Sequence, residues 1–193
     1  TIYCLTGVYS GVASTLLWSW MFNSRLGPIN QFLTSRGIEG PAWTGAERGA
    51  LISLSIMSLW GLGGGIIFYL AGLQTVPRHL HEAAKIAGAG WWRRLFTITL
   101  PSMSPILLFS LLTNIIGGLQ TFTSSYLMTS GGPNYSTMFY ALYLYNNAFK
   151  YHKMGKACAM AWILFIIIMI LSALVMKVSA PMVYYENDGG EDD

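Results

Sequence analysis

Four stretches of this 193-residue chain, residues 1–24, 49–77, 95–149 and 157–176, contain no Lys, Arg, Asp or Glu. A helix that crosses the hydrocarbon of a bilayer needs about 20 mostly apolar residues, and each stretch can hold at least one. Only 10% of the chain is charged and 53% is hydrophobic, which is too little polar surface for a soluble globule with four such gaps. In lipid each backbone polar group must be satisfied inside its own segment, so long apolar segments become helices. The expected fold is an all-α integral membrane protein. Its four transmembrane helices fall at about 1–22, 50–73, 105–128 and 157–178, with a basic loop over 74–104 and an acidic tail over 181–193.

Smaller signals fill in this frame. Trp18 and Trp20 stand near the end of the first span, where interfacial aromatics belong. After Gly27-Pro28, the spacing of Ile29, Phe32 and Leu33 predicts a short amphipathic helix lying in the interface. Gly61, Gly63, Gly64 and Gly65 interrupt the second span after Trp60; glycines at this depth favour close helix packing over an unwound segment beside a cavity. The third span carries Asn114, Gln120, Thr121, Thr123, Ser124 and Ser125 in its second half. Polar groups facing lipid are costly, so some of these face protein or a watered path. A hydroxyl can bond back to its own helix; Asn114 and Gln120 do so less readily and mark the cluster most clearly. Interhelical hydrogen bonding explains each one singly as well as a polar lining does.

Several function classes are excluded or disfavoured. Cys4 and Cys158 lie in apolar spans and read as small packing residues, so neither a disulfide nor a metal site is expected. His79 and His81 alone are a poor metal signal. The basic residues are dispersed and without a motif, which gives no sign of nucleic-acid binding. An ion-coupled secondary carrier keeps ionisable groups within its spans, and a membrane-embedded enzyme needs opposed acid, base, nucleophile or metal groups; the spans offer no carboxylate or lysine. A purely structural membrane subunit would have no need of the polar cluster around Gln120.

The basic loop is the most informative segment. Pro77 suits a helix start, and Gly88 or Gly90 a stop. Between them Leu80, Ala83, Ala84, Ala87 and Gly88 recur at helical spacing and form a nearly flat stripe. Faces of alanine and glycine let another surface come close. Glu82 is expected in the first turn, where a carboxylate suits the positive end of the helix dipole. By itself this describes an ordinary surface helix as well as a docking helix.

The order of residues favours docking. Glu82-Ala83-Ala84, then Gly88, then Ile98-Thr99-Leu100-Pro101 closely resembles the EAA loop of ABC-transporter permease subunits. Ala71-Gly72-Leu73-Gln74-Thr75-Val76-Pro77 before it and Gly131-Gly132-Pro133 after it extend the match. Together they resemble the permeases of binding-protein-dependent sugar importers of the maltose, lactose and glycerol-phosphate type. Where this branch often has Asp, the present chain has Ala87, so a polar contact from that position is missing.

The resemblance implies the following. The four spans belong to a six-helix importer core whose first two helices precede this segment, so residues 1–180 are a transmembrane domain and 181–193 a cytoplasmic tail. Val183-Tyr184-Tyr185-Glu186 is similar to tails of this branch. Glu82, Ala83, Ala84 and Gly88 form the coupling contact with cytoplasmic ATPase subunits. Ser58, Gly65, Gln120 and Thr121 are candidates for the substrate pathway. The aromatic loop from Ser130 to Lys156 meets an extracytoplasmic solute-binding protein, and a second, homologous permease completes the pore. The substrate is a sugar, no cofactor is expected, and the location is a bacterial or archaeal cell membrane. The chain contains no G-x-x-x-x-G-K-[ST] phosphate loop, so ATP hydrolysis is expected on the partners. Charge bias does not orient the spans: five Lys/Arg (Arg78, Lys85, Arg93, Arg94, Lys177) lie on the loop side and six (Arg25, Arg36, Arg48, Lys150, Lys153, Lys156) opposite. The cytoplasmic side of the loop follows from the resemblance.

Overall fold

A computed structural model describes residues 10–38, 40–61, 63–74 and 76–179. The described residues are helical and contain no strand. In order they form α1 (Gly11–Met21), α2 (Pro28–Ser35), α3 (Glu47–Trp60), α4 (Gly63–Gln74) and α5 (Arg78–Ile86). There follow α6 (Trp91–Arg94), a π turn (Leu95–Thr99), α7 (Leu100–Ser102) and α8 (Ser104–Leu119). The chain continues with α9 (Thr123–Met128), α10 (Tyr140–Tyr145), a second π turn (Asn146–Lys150) and α11 (Met154–Ser179). Among these residues three segments, Glu47–Gln74, Ser104–Met128 and Met154–Ser179, are long and apolar enough to cross a membrane. Of the first expected span, residues 1–9 with Cys4 lie outside the described residues, as do the tail 181–193 and its Val183–Glu186 motif.

Two of the expected spans are interrupted. The second stops at Trp60 and resumes at Gly63, where the glycines lie. At Gly61 and Gly65 the expected close packing is not found, since a Cβ there would meet only Ser58 O and Tyr69 Cε2 of the same helix, whereas Gly63 is buried. The close approach is at Gly72, where a Cβ would lie 2.6 Å from Ile106 Cδ1 and 3.2 Å from Met103 Cε. The third span, expected unbroken over 105–128, is two helices. Gly117 and Gly118 weaken the end of α8. The Thr121 hydroxyl then donates back to Gly118 O at 2.9 Å, and Phe122 leaves the helical region with φ −129° and ψ −58° before α9 begins.

The helices gather into two compact units. The first comprises the described parts of Thr1–Gly64 and Gly117–Leu164. Its core is Phe22, Leu54 and Met128, with Trp18, Ile29, Trp43, Ile56, Met57 and Phe139 packed around them. Helix α9 lies against α1. The expected interfacial helix after Gly27 is α2, but only Ile29 turns to the core; Phe32 is 61% exposed and carries the Arg36 guanidinium 5.1 Å from its ring centre. Buried Asn30 ties the segment together. Its Oδ1 accepts from Trp43 Nε1 at 2.7 Å, and its Nδ2 donates to Ser24 O at 3.0 Å and Pro41 O at 3.4 Å. Gly40 is needed beside it, because a Cβ there would collide with the Asn30 amide.

A second polar knot closes this unit. The hydroxyl of Ser125 in α9 donates to Thr137 O, Thr137 Oγ1 bonds Gly132 O at 2.9 Å, and Thr129 Oγ1 pairs with Thr137 Oγ1 at 2.6 Å. Thr137 and Ser125 are fully buried, so the loop after α9 is held by hydrogen bonds as well as by the packing of Phe139 on the core. Asn134 Nδ2 reaches across to Glu47 Oε1 at 2.6 Å, tying that loop to the start of α3.

The second unit comprises the described parts of Gly65–Ile116 and Phe165–Asp193. Here α4 meets α8 through Gly72, through the rings of Phe68 and Phe109 at 5.6 Å, and through a hydrogen bond between the hydroxyls of Tyr69 and Ser110. The exposed apolar side chains of this part of α11, Ile166 and Ile170 among them, suit a helix surrounded by lipid or by further helices.

Candidate functional site

Helix α5 is the part of the described chain that stands out most. Pro77, extended at φ −63° and ψ 130°, caps it, and nine residues follow from Arg78 to Ile86. The helix then ends in a Schellman turn: Gly88 N bonds Lys85 O at 3.0 Å and Ala89 N bonds Ala84 O at 2.9 Å, with Gly88 at φ +72°. Only glycine takes that conformation without strain. No residue of α5 is buried. At about 100° per residue, Leu80, Ala83, Ala84 and Ala87 share one face, as the spacing predicts.

One expectation about this helix is corrected. Because the helix starts at Arg78, Glu82 is its fifth residue and the first turn holds no acid. Pro77 lacks an N–H and fixes φ, so the helix begins immediately after it and the first turn falls on Arg78, His79 and Leu80. Glu82 therefore gains little from the dipole, and among the described residues its carboxylate has no partner. Lys85 lies in the last turn, where a cation is favourable. One residue that sequence reasoning passed over is Ile86, 90% exposed and one turn beyond Glu82. Its signal was a large apolar residue outside the small-residue stripe.

The candidate pathway residues are dispersed. Ser58 is exposed in α3, with its hydroxyl bonded to Ser55 O at 2.7 Å. Gly65 is in α4, in the second unit. Gln120 and Thr121 occupy the break between α8 and α9; Gln120 is exposed, and Thr121 bonds back to Gly117 and Gly118 carbonyls. Asn114, expected to be less able to satisfy itself, does so: its Nδ2 donates to Ser110 O at 2.8 Å and to Ser110 Oγ at 3.2 Å. A carboxamide one turn below a serine can span that distance within one helix. Gln120, Thr123 and Ser124 thus remain the polar side chains of this cluster without a hydrogen-bond partner among the described residues, and Gln120 is the one carboxamide of the three.

The aromatic loop separates into different uses. Tyr145 and Phe149, 4.9 Å apart, join Phe122 and Tyr126 in one group of rings, with Phe122–Tyr145 at 5.0 Å and Tyr126–Tyr145 at 5.4 Å. The neighbouring Tyr126 hydroxyl, by favouring the protonated form of Tyr145, raises the Tyr145 phenol above its ordinary pKa. Tyr140 donates to Met160 O at 2.8 Å. Tyr143 accepts from Lys156 Nζ at 3.1 Å, which lowers its pKa. Tyr135 and Tyr151 are 77% and 51% exposed.

Comparison with known proteins bears on these surfaces. A probable ABC transporter permease, YesP of Bacillus subtilis, is 36% identical over 191 residues, covering 97% of this chain and 62% of the relative. The sulfoquinovosyl glycerol transport system permease SmoG of Agrobacterium fabrum is 35% identical over 164 residues, 84% of this chain and 53% of the relative. The multiple sugar-binding transport system permease MsmF of Streptococcus mutans is 36% identical over 173 residues, 89% of this chain and 59% of the relative. The chain thus spans between 53% and 62% of the length of these relatives. The fold matches a chain of a bacterial ABC transporter involved in alginate import, with TM-score 0.81 and 18% identity over 93% of this chain and 64% of that one. The family model for the binding-protein-dependent transport system inner membrane component matches residues 10–183. The helical fold, the apolar spans and that match agree: the chain is a multi-pass cell-membrane protein and belongs to the family of binding-protein-dependent transport system inner membrane components.

Proposed function

We propose that this chain is the membrane-spanning permease subunit of an ATP-binding-cassette importer. It would carry a sugar or related carbohydrate delivered by an extracytoplasmic solute-binding protein. The observation that supports this most strongly is α5, an exposed helix closed by a left-handed glycine, in a chain whose relatives include named sugar-transport permeases. Glu82, Ala83, Ala84 and Gly88, with Ile86 beside them, dock on a cytoplasmic ATPase subunit. A small-residue face transmits displacement because no long side chains lie between the backbones to absorb it. Residues 1–180 form the membrane domain, the loop over 74–104 and the tail over 181–193 lie in the cytoplasm, and a second homologous permease completes the pore. ATP is hydrolysed on the ATPases, so this subunit is not itself an enzyme. Closure of the ATPases moves the α5 helices and turns the cavity outward, and substrate biases that equilibrium by binding the two states unequally.

Ser58, Gly65, Gln120 and Thr121 remain the pathway candidates. The unpartnered amide of Gln120 supplies hydrogen bonds suited to hydroxyl groups, and the Phe122–Tyr126–Tyr145–Phe149 rings supply faces on which a sugar can stack. Gln120→Leu should change substrate rate or preference about tenfold, the cost of roughly one lost hydrogen bond, while leaving assembly intact. Loss of assembly would instead make Gln120 a packing residue.

The deciding experiment is cysteine cross-linking at Ala84→Cys in the full-length protein against its co-expressed ATPase. A nucleotide-dependent cross-link supports the docking role and the cytoplasmic side together. Labelling of the cysteine from outside the cell, with no cross-link, overturns both.

A further inference from the structure

The turn that follows α5 has a composition of its own. Trp91, Trp92 and Phe96 are 60%, 66% and 61% exposed, with Trp92 stacked on Phe96 at 6.2 Å and 15° between planes. Arg93 and Arg94 complete the turn. No Asp or Glu occurs between Glu82 and Glu186, so the loop carries four cations (Arg78, Lys85, Arg93, Arg94) against the single carboxylate of Glu82. Arg94 is half-buried, and its Nε is enclosed without a hydrogen-bond partner. An enclosed guanidinium N–H without a protein acceptor favours an anion that arrives from outside.

Two residues on from Arg94, Phe96 opens an apolar groove of about 380 Å³ that is lined also by Leu100, Leu107, Leu108 and Leu111, with Ser179 of α11 at its edge. Positions 104, 107, 108 and 111 follow the i, i+3, i+4, i+7 spacing of one helix face, so one wall of the groove is a face of α8. A cationic, tryptophan-edged mouth that continues into an apolar groove matches one ligand shape: an anionic head on an acyl chain.

We infer that Trp91–Leu111 is a binding site for an anionic phospholipid, with its phosphate at Arg93 and Arg94 and one acyl chain along α8. Such a lipid fixes the depth of the segment that carries α5, so lipid composition regulates how well displacement of α5 reaches the spans. The lipid site itself does not depend on which carbohydrate is carried or on whether α5 docks an ATPase, whereas its effect on displacement of α5 rests on that docking.

The test uses the full-length protein in its assembled transporter, placed in nanodiscs of equimolar palmitoyl-oleoyl phosphatidylglycerol and phosphatidylcholine and read by native mass spectrometry. Wild type should retain phosphatidylglycerol in preference to phosphatidylcholine. Arg93→Gln with Arg94→Gln should lower that preference by about fivefold per arginine, whereas the double lysine substitution keeps the charge and the preference. Leu107→Trp, which fills the groove, should lower phosphatidylglycerol retention with the arginines intact. Equal retention of the two lipids, or a preference unmoved by the glutamine pair in a correctly assembled complex, overturns the site. So does displacement of the bound lipid by inorganic phosphate, which would make it an ion site. A photo-reactive side chain at position 107 should cross-link to lipid; cross-linking to a protein segment would show that another helix fills the groove, and would equally overturn it.

Discussion

Gly88→Leu is expected to leave substrate capture by the solute-binding protein unchanged and to uncouple ATP hydrolysis from import. A Cβ at Gly88 would have open space around it, with no atom within 4 Å, so crowding inside the chain is not the cause. The cause is backbone conformation. Gly88 is at φ +72°, and the turn it forms closes α5 with one hydrogen bond from Gly88 N to Lys85 O and one from Ala89 N to Ala84 O. A β-carbon in that region costs about 1–2 kcal/mol, which lowers the population of the closed turn by roughly five- to thirtyfold. The leucine side chain would also stand between the backbone and any docked surface. Gly88→Asn separates the two effects, because asparagine tolerates the left-handed region but still adds bulk. Transport should fall in the order glycine, asparagine, leucine. Vesicles that import at wild-type rate with leucine would contradict the docking role of this turn.

Asn30→Leu should be the most destabilising of the substitutions considered. The side chain is 5% exposed and holds Trp43 Nε1, Ser24 O and Pro41 O, so leucine leaves a half-buried donor and two acceptors without this partner. At about 1–3 kcal/mol for each such group, with part recovered by relaxation, a loss of about 3 kcal/mol is expected. Thermal unfolding of the assembled, detergent-purified protein should begin roughly 10 °C lower. Trp43→Phe keeps a ring in the Phe22–Trp43 contact at 5.3 Å and removes only the donor, so its cost should be about 1 kcal/mol. Equal melting of Asn30→Leu and wild type would show that the segment between α2 and α3 is held by apolar packing alone.

Much of the architecture was legible because the governing constraint is local. The charge-free stretches fix which segments can lie in hydrocarbon, and a helix satisfies its backbone without reference to any other part of the chain. Helix α5 was legible for a similar reason: Pro77 and Gly88 act on the backbone dihedrals of their own neighbourhood. Its first turn was misjudged by a few residues, which moved Glu82 away from the dipole. The break at Gln120–Phe122 was missed because an apolar pattern looks the same whether a helix is continuous or interrupted. The signal available was Gly117-Gly118 followed by threonine.

The sequence by itself determined the membrane class, the positions of the apolar segments and the glycine-closed helix with its small-residue face, since each depends on solvent or on adjacent dihedrals. Only the tertiary structure decided which polar groups are satisfied and by whom. Asn114 turned inward to Ser110, Ser125 and Thr137 met across twelve residues, Asn30 drew Trp43 to it, and Gln120 was left exposed. Hydrogen-bond partners are chosen by where distant backbone passes, and a one-dimensional pattern carries no record of that distance.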